Sequence, residues 1–211
     1  MTQKNRRRSP GSILSKFLKV IFLALLIVLL LGAGSLGIAV LNIVQDAPDI
    51  STENINSMLT ENSVIVDPSG RQLELIQTEE FRRIIEIDEM PDHLKKAVIS
   101  VEDERFYSNM GVDPQGIVKS AIDNFRAGDI VRGGSTITQQ LIKNNIFSGG
   151  METSWGARIE GKLQEQYLAV QLEKNSGLSK EETKKTIITN YLNTINLGSN
   201  TLGVKVAARR Y

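Results

Sequence analysis

The sequence contains no cysteine and only one histidine among its 211 residues. Without cysteine, the chain cannot form disulfide bonds or thiolate metal sites. The lone histidine, His93, cannot build a metal site that needs several imidazoles. Any chemistry of this chain therefore depends on carboxylates, amines, amides and hydroxyls.

Acidic residues are absent before Asp46, whereas six of the 25 basic residues lie in the first 19 positions. The rest of the chain holds 19 basic and 24 acidic residues. General nucleic-acid binding requires a basic face, which this balance does not supply, so we expect no nucleic-acid partner. Membrane topology and attraction to anionic lipids are sufficient to explain the basic cluster.

Residues 20–44 form a long apolar run in which Ser35 and Asn42 are the only polar side chains. About 25 residues are enough to cross a hydrocarbon core of roughly 30 Å. By the positive-inside rule, residues 1–19 form a cytoplasmic tail, residues 20–44 a single-pass anchor in the plasma membrane, and the following residues lie outside. A cleaved signal peptide is the alternative, because residues 32–35 are small, although the apolar core of a signal is usually about 7–15 residues.

Beyond the anchor, the sequence divides into a juxtamembrane linker with a β-hairpin, residues 45–86, and a helical domain, residues 87–211. Two short strands are predicted around the turn Asp67-Pro68-Ser69-Gly70. From Pro91 onward, apolar residues recur at helical spacing and predict five helices. The expected fold is therefore mainly α, with a small β-hairpin and an N-terminal transmembrane helix.

The first two helices show the clearest apolar stripes. One stripe runs from Leu94 to Val101, and the next runs from Ile117 to Phe125 and stops near Gly128. The last residues before Tyr211 look helical and are followed by no glycine or proline stop. We therefore expect the domain to be incomplete at its C-terminus.

Two polar segments are candidates for chemistry. Glu102 and Asp103 come at the predicted end of a helix, where the helix dipole opposes negative charge, so they are either solvated carboxylates or a general base with a raised pKa. Gly133 and Gly134 precede a helix start, whose free N–H groups suit a phosphate or sugar oxygen. A capping box made by Thr136 and its third neighbour explains part of that segment without any ligand.

Taken together, these segments resemble the motifs of the peptidoglycan glycosyltransferases of family 51, which occur in class A penicillin-binding proteins and monofunctional transglycosylases. Glu-Asp-x-x-Phe-x-x-Asn-x-Gly, residues 102–111, resembles the first motif, with Asn109 where the family usually has histidine. Gly-Gly-Ser-Thr-Ile-Thr-Gln-Gln, residues 133–140, resembles the second. Residues 161–165 resemble the third motif, Arg-Lys-x-x-Glu, in which Lys162 and Glu165 match and Gly161 stands in place of the arginine. Arg158, one helical turn earlier, is a candidate substitute for that arginine.

Residues 193–198 resemble the fourth motif, Asn-x-x-x-Phe-Gly, in which Asn193 and Gly198 match and Leu197 stands in place of the phenylalanine. The resemblance covers about residues 87–211 and implies a lysozyme-like, mainly α fold. It also implies polymerisation of lipid II into glycan strands, with inversion and release of undecaprenyl diphosphate, in cell-wall synthesis.

The same resemblance implies roles for individual residues. Glu102 and Glu165 are expected to be catalytic, Glu102 as the general base and Glu165 in support of the donor sugar and its diphosphate. Lys143 and Lys162 are expected to offset the charge of the diphosphate. The other expected substrate-binding residues are Asp103, Phe106, Gly134, Ser135, Thr136, Gln139, Gln140 and Asn193. A divalent cation, Mg²⁺ or Mn²⁺, is a further expectation, with Asp103 or Glu165 as its ligand.

Expected partners are lipid II, the nascent glycan–undecaprenyl diphosphate, the bilayer, and proteins of cell-wall synthesis or division. Two alternatives stay open. A membrane-anchored cell-wall scaffold with impaired catalysis is compatible with the departures at Asn109, Gly161 and Leu197. A lysozyme-like hydrolase also uses two carboxylates, but it needs no basic site for a diphosphate.

Overall fold

The computed structural model describes residues 10–48, 50, 64–69, 71–75, 81–147, 154–199 and 201–211. The chain forms two compact units, one ending at Asp46 and the other beginning at Ala47. The predicted tail, residues 1–19, and the predicted linker, residues 45–86, lie partly outside the described residues. The domain boundaries stay predictions.

The first unit contains helix α1, Pro10–Gln45, which is 36 residues long. Its segment Ser15–Gln45 is long and apolar enough to cross a membrane. At a rise of 1.5 Å per residue, a helix needs about 20 residues to span a hydrocarbon core. The predicted apolar anchor is therefore a candidate membrane span.

The second unit is mainly helical, with four short strands among its described residues. Its strands are β1 (Val64–Val66), β2 (Gln72–Leu75), β3 (Phe81–Arg82) and β4 (Thr201–Leu202). A short 3₁₀ helix, Ile87–Glu89, precedes the α-helices. These helices are α2 (Asp92–Glu102), α3 (Pro114–Ala127), α4 (Ile137–Ile146), α5 (Trp155–Lys174), α6 (Lys180–Thr194) and α7 (Val204–Arg210). The prediction of a mainly α fold with an N-terminal apolar helix is confirmed.

The predicted hairpin is also present. Strands β1 and β2 pair in antiparallel fashion, with Val64 opposite Leu75. Asp67 closes the turn, because its Oδ1 accepts hydrogen bonds from the backbone N–H groups of Ser69 and Arg71, each at 2.9 Å. This is an aspartate turn of the kind that the sequence indicated.

The core is formed where α4 packs against both α5 and α6. Its members include Leu141 and Ile142 of α4, Leu168 and Leu172 of α5, and Ile188 and Leu192 of α6, all buried. Full burial of such a side chain contributes about 1.5–3 kcal/mol. Helix α4 is therefore firmly held, and so is the glycine-rich segment that leads into it.

The apolar stripe predicted for α3 is not a core face. Phe125 is 88 % exposed and Ile122 44 % exposed, whereas the buried residues of α3 are Gly116 and Ser120. Small residues are needed there for two reasons. The glycine-rich segment lies close to Ser120, whose hydroxyl donates to the Gly133 carbonyl at 2.9 Å. A Cβ at Gly116 would meet the Asp113 carboxylate at 2.5 Å. Helical spacing predicted the helix, but it could not predict which face of the helix the neighbouring segments cover.

Candidate active site

A cavity of about 1320 Å³ lies at the end of α2, between the segment that precedes α4 and the facing sides of α4 and α5. Glu102 and Glu165 line it, as do four basic residues: Arg132, Lys143, Arg158 and Lys162. Its apolar lining includes Val101, Val131, Ile146 and Phe147. The cavity therefore combines two carboxylates with an excess of positive charge and an apolar wall.

Glu102 is the last residue of α2 and is exposed to the cavity. Its Oε2 accepts a hydrogen bond from Gln140 Nε2 at 2.9 Å. The Gln140 amide oxygen in turn accepts from the hydroxyl of Tyr191, at 3.0 Å. Burial, followed by the negative charge of Glu102, raises the pKa of Tyr191 well above its ordinary value, so the phenol stays protonated. Sequence reasoning did not assign Tyr191 to the site.

Asp103 follows Glu102 but faces the protein interior, where it is 6 % exposed. Asn109 Nδ2 donates to both of its oxygens, at 3.0 and 3.1 Å, and the backbone N–H of Ile137 donates to Oδ2 at 3.2 Å. Burial raises the pKa of Asp103 above its ordinary value, while these donors oppose that effect. Asp103 thus ties the end of α2 to the first turn of α4, and its role in substrate binding stays a prediction.

Asn109 also contacts a buried ion pair that sequence reasoning missed. Lys184 Nζ donates to Asn109 Oδ1 at 3.0 Å and to Glu173 Oε1 at 2.7 Å. The same ammonium lies 4.5 Å from the centroid of the buried Phe106 ring, a favourable cation–π distance. A lysine and a glutamate on two separate helices carry no local signal of pairing, so only the fold brings them together.

A second polar cluster lies on the α5 side of the cavity. Lys162 Nζ contacts Glu165 Oε1 at 2.5 Å and donates to the Ser135 hydroxyl at 2.8 Å. Glu165 is 5 % exposed, whereas the side chain of Lys162 is 41 % exposed. The pair joins α5 to the segment before α4 and leaves part of the ammonium available to a ligand in the cavity.

Thr136 and Gln139 form the capping box that the sequence allowed. The Gln139 side chain accepts from the Thr136 backbone N–H at 2.9 Å, and the Thr136 hydroxyl accepts from the Gln139 backbone N–H at 3.2 Å. The Thr136 hydroxyl also donates to the Gly111 carbonyl, and both side chains are buried. These contacts account for the two residues structurally, and their substrate contacts stay predictions.

The remaining predicted residues divide between the cavity and the interior. Ser135, Gln140 and Lys143 line the cavity, whereas Asn193 is fully buried. Asn193 exchanges hydrogen bonds with the backbone N–H and carbonyl of Ile85, at 2.9 and 3.0 Å. It fixes the segment after β3, and its contact with substrate stays a prediction.

The donor groups do not favour a bound metal ion in the described part of the chain. No cluster of three or more His, Asp or Glu side chains suits an ion there. Both Asp103 oxygens already accept hydrogen bonds, and Glu165 contacts the ammonium of Lys162, which would repel a cation. A divalent cation stays a prediction.

Comparison with known proteins identifies the family of this chain. The transglycosylase family model matches residues 69–211. The chain is 39 % identical over 215 residues to penicillin-binding protein 1A of Clostridium perfringens strain 13, covering 99 % of this chain and 30 % of that protein. It is 34 % identical over 209 residues to penicillin-binding protein 1A/1B of Bacillus subtilis strain 168, covering 99 % of this chain and 21 % of that protein.

A third relative is penicillin-binding protein 1A of Aquifex aeolicus, which is 41 % identical over 149 residues, covering 71 % of this chain and 19 % of that protein. The chain therefore spans less than a third of the length of each of these relatives. The family match and the identities over nearly the whole chain show that this chain belongs to the transglycosylase family.

Proposed function

We propose that this chain carries the glycosyltransferase activity of a membrane-anchored peptidoglycan synthase, which polymerises lipid II. The observation that carries the proposal is the cavity itself, which Glu102, four basic residues and several apolar side chains line together. Such a site suits a sugar whose leaving group is a lipid diphosphate. The growing glycan–undecaprenyl diphosphate is the donor, and a new lipid II molecule is the acceptor.

The basic residues act on the donor. The bond between the anomeric carbon and the diphosphate oxygen breaks, and negative charge accumulates on the diphosphate as it leaves. Lys143 and Lys162 stabilise that charge, and Arg132 and Arg158 extend the positive potential of the same cavity. Fixed charges aimed at a developing anion usually supply the largest single contribution to the rate.

Glu102 acts on the acceptor. Its carboxylate takes the proton of the acceptor's 4-hydroxyl, and the oxygen attacks the anomeric carbon from the side opposite the diphosphate, so α linkage becomes β. General-base catalysis of this kind contributes about 10²–10⁴-fold. The hydrogen bond from Gln140 Nε2 supports this role, because it orients the Glu102 carboxylate at the cavity.

Helix α1 keeps the enzyme at the bilayer surface, where both lipid-linked substrates are confined. The basic residues before the apolar run favour an N-terminus in the cytoplasm and a catalytic domain outside it. We infer a single-pass protein of the plasma membrane that works with other proteins of cell-wall synthesis or division.

Incubating the complete gene product with lipid II in detergent or liposomes, beside Glu102→Gln, tests the proposal. The wild type should form glycan strands and Glu102→Gln should form them at least 10²-fold more slowly, whereas the exposed neighbour Glu104→Gln should stay active. Release of disaccharide units from preformed glycan would instead indicate a hydrolase. A folded wild-type protein that binds lipid II without polymerising it would indicate a scaffold.

A second pair of variants tests the basic residues. Lys162→Met should slow polymerisation roughly tenfold or more, because it removes a charge that faces the diphosphate. Lys174→Met is the matched control, since Lys174 is exposed at the far end of the same helix. Equal rates for the two variants would contradict the assignment of the leaving-group site.

A further inference from the structure

A chain of two hydrogen bonds runs from the protein core to the cavity. Tyr191 of α6, with no exposed surface, donates its hydroxyl proton to Gln140 Oε1 at 3.0 Å. Gln140 of α4 then donates from Nε2 to Glu102 Oε2 at 2.9 Å. These two hydrogen bonds link three helices and end on the carboxylate that we assign as the general base.

The donor and acceptor groups of the three side chains determine which way these hydrogen bonds run. A carboxylate without a proton can only accept, so it requires the NH₂ side of the Gln140 amide. An amide can turn over, and its oxygen would then face the carboxylate and repel it. The Tyr191 hydroxyl donates to the amide oxygen and so favours the orientation in which NH₂ faces Glu102.

We propose that Tyr191 is a positioning residue that acts through Gln140 to hold the Glu102 carboxylate in the orientation that the reaction needs. This inference rests on the proposed function, because it concerns the base of that reaction. Gln140 occupies Oε2 of Glu102, which leaves Oε1 to receive the proton of the acceptor hydroxyl. That proton transfer is the only covalent change at Glu102, and Tyr191 and Gln140 neither gain nor lose a proton.

Other charged groups act on Glu102 as well. Arg132, Lys143, Arg158, Lys162 and Glu165 line the same cavity, and Asp103 is the neighbour of Glu102 in the chain. Their effect is the same in the wild type and in a variant that lacks only the Tyr191 hydroxyl. A comparison of these two proteins therefore measures the effect of the hydrogen bond from Tyr191 to Gln140.

Tyr191→Phe should retain the buried ring and lose the donor to Gln140. The amide can then turn its oxygen toward Glu102, which removes the hydrogen bond that orients the carboxylate. We expect kcat per folded molecule to fall about three- to tenfold, with KM little changed. An effect confined to folding would leave kcat per folded molecule unchanged.

Lipid II polymerisation by the complete gene product is the test, with Tyr191→Phe, Gln140→Met and the double variant. If Tyr191 acts through Gln140, adding Tyr191→Phe to Gln140→Met changes kcat by less than about twofold, since coupled residues are not additive. The control is Thr194→Val on the same helix, which removes the buried hydroxyl bond from Thr194 to the Asn190 carbonyl at 2.8 Å. It should leave kcat and KM per folded molecule unchanged.

Two outcomes would overturn the inference while the proposed function stands. One is a kcat of Tyr191→Phe, per folded molecule, that matches those of the wild type and Thr194→Val. The other is a full additional loss of kcat when Tyr191→Phe is combined with Gln140→Met. If the wild type itself forms no polymer, the proposed function fails first, and the two failures are thereby distinguished.

Discussion

Replacing Lys184 by methionine is expected to destabilise the protein strongly, although the residue lies outside the cavity. The side chains of Lys184 and Glu173 are 1 % and 2 % exposed, and their charged atoms lie 2.7 Å apart. Without the ammonium, the Glu173 carboxylate keeps the Thr138 hydroxyl as a partner, and Asn109 loses its link to α6. A buried negative charge is then left without a compensating positive charge.

The expected magnitude follows from this burial. Removal of one partner of a buried ion pair costs about 3–5 kcal/mol of unfolding free energy. In a chain of this size, each kcal/mol corresponds to roughly 2–4 °C in Tm, so the loss should be about 6–20 °C. Burial lowers the pKa of Lys184 despite the opposing effect of Glu173, which means that holding the ammonium inside is itself costly. Lys184→Met combined with Glu173→Gln should therefore recover at least half of the loss.

Thermal unfolding followed by circular dichroism in detergent measures these differences. Lys185→Met is the matched control, because Lys185 is the next residue and pairs with Asp88 at the surface, with side chains 53 % and 83 % exposed. Its loss should stay within about 1 kcal/mol. The reasoning would be refuted if Lys184→Met and Lys185→Met had the same Tm, or if the double variant were less stable than Lys184→Met alone.

Two further predictions concern stability. Gly111→Ala should lower the free energy of unfolding by more than about 2 kcal/mol, because φ is +84° and a Cβ would meet the Ala169 carbonyl oxygen at 2.3 Å. Gly161→Ala should raise it by about 0.5–1 kcal/mol, because Gly161 lies in a helix with open space around it. Denaturant unfolding of the two variants measures both changes. The Arg105 hydrogen bond lowers the pKa of Asp113 below its ordinary 3.8, so its stabilisation is present above about pH 4 and lost as pH falls through the lowered value. Arg105→Met should accordingly reduce stability at pH 7 and flatten its decline in acid, and an unchanged acid decline would contradict this origin.

Local sequence patterns were sufficient for most secondary structure. The aspartate turn after β1, the capping box at Thr136, and the one that Ser179 and Glu182 form at the start of α6 involve residues within four positions of each other. Such contacts depend on short-range geometry, which the sequence order nearly determines. The family resemblance, carried by residues 102–111 and 133–140, is confirmed by the match to the transglycosylase family.

Long-range contacts could not be predicted in the same way. Tyr191 and Gln140 are 51 positions apart, and Lys184 and Asn109 are 75 positions apart. Helical periodicity gave no indication that Phe125 would be exposed, because it reports an apolar face and not the element that covers it. The departure at Asn109 also has a structural explanation that sequence alone did not supply: its amide joins Lys184 to Asp103.

The most direct measurement compares lipid II binding and glycan transfer by the wild type and Glu102→Gln in the same membranes. Glu102→Gln keeps the shape of the side chain and removes its basicity. The account predicts that Glu102→Gln binds lipid II within about threefold of the wild type but transfers sugar at least 10²-fold more slowly. Transfer by Glu102→Gln within about tenfold of the wild-type rate would contradict the assignment of Glu102 as the general base.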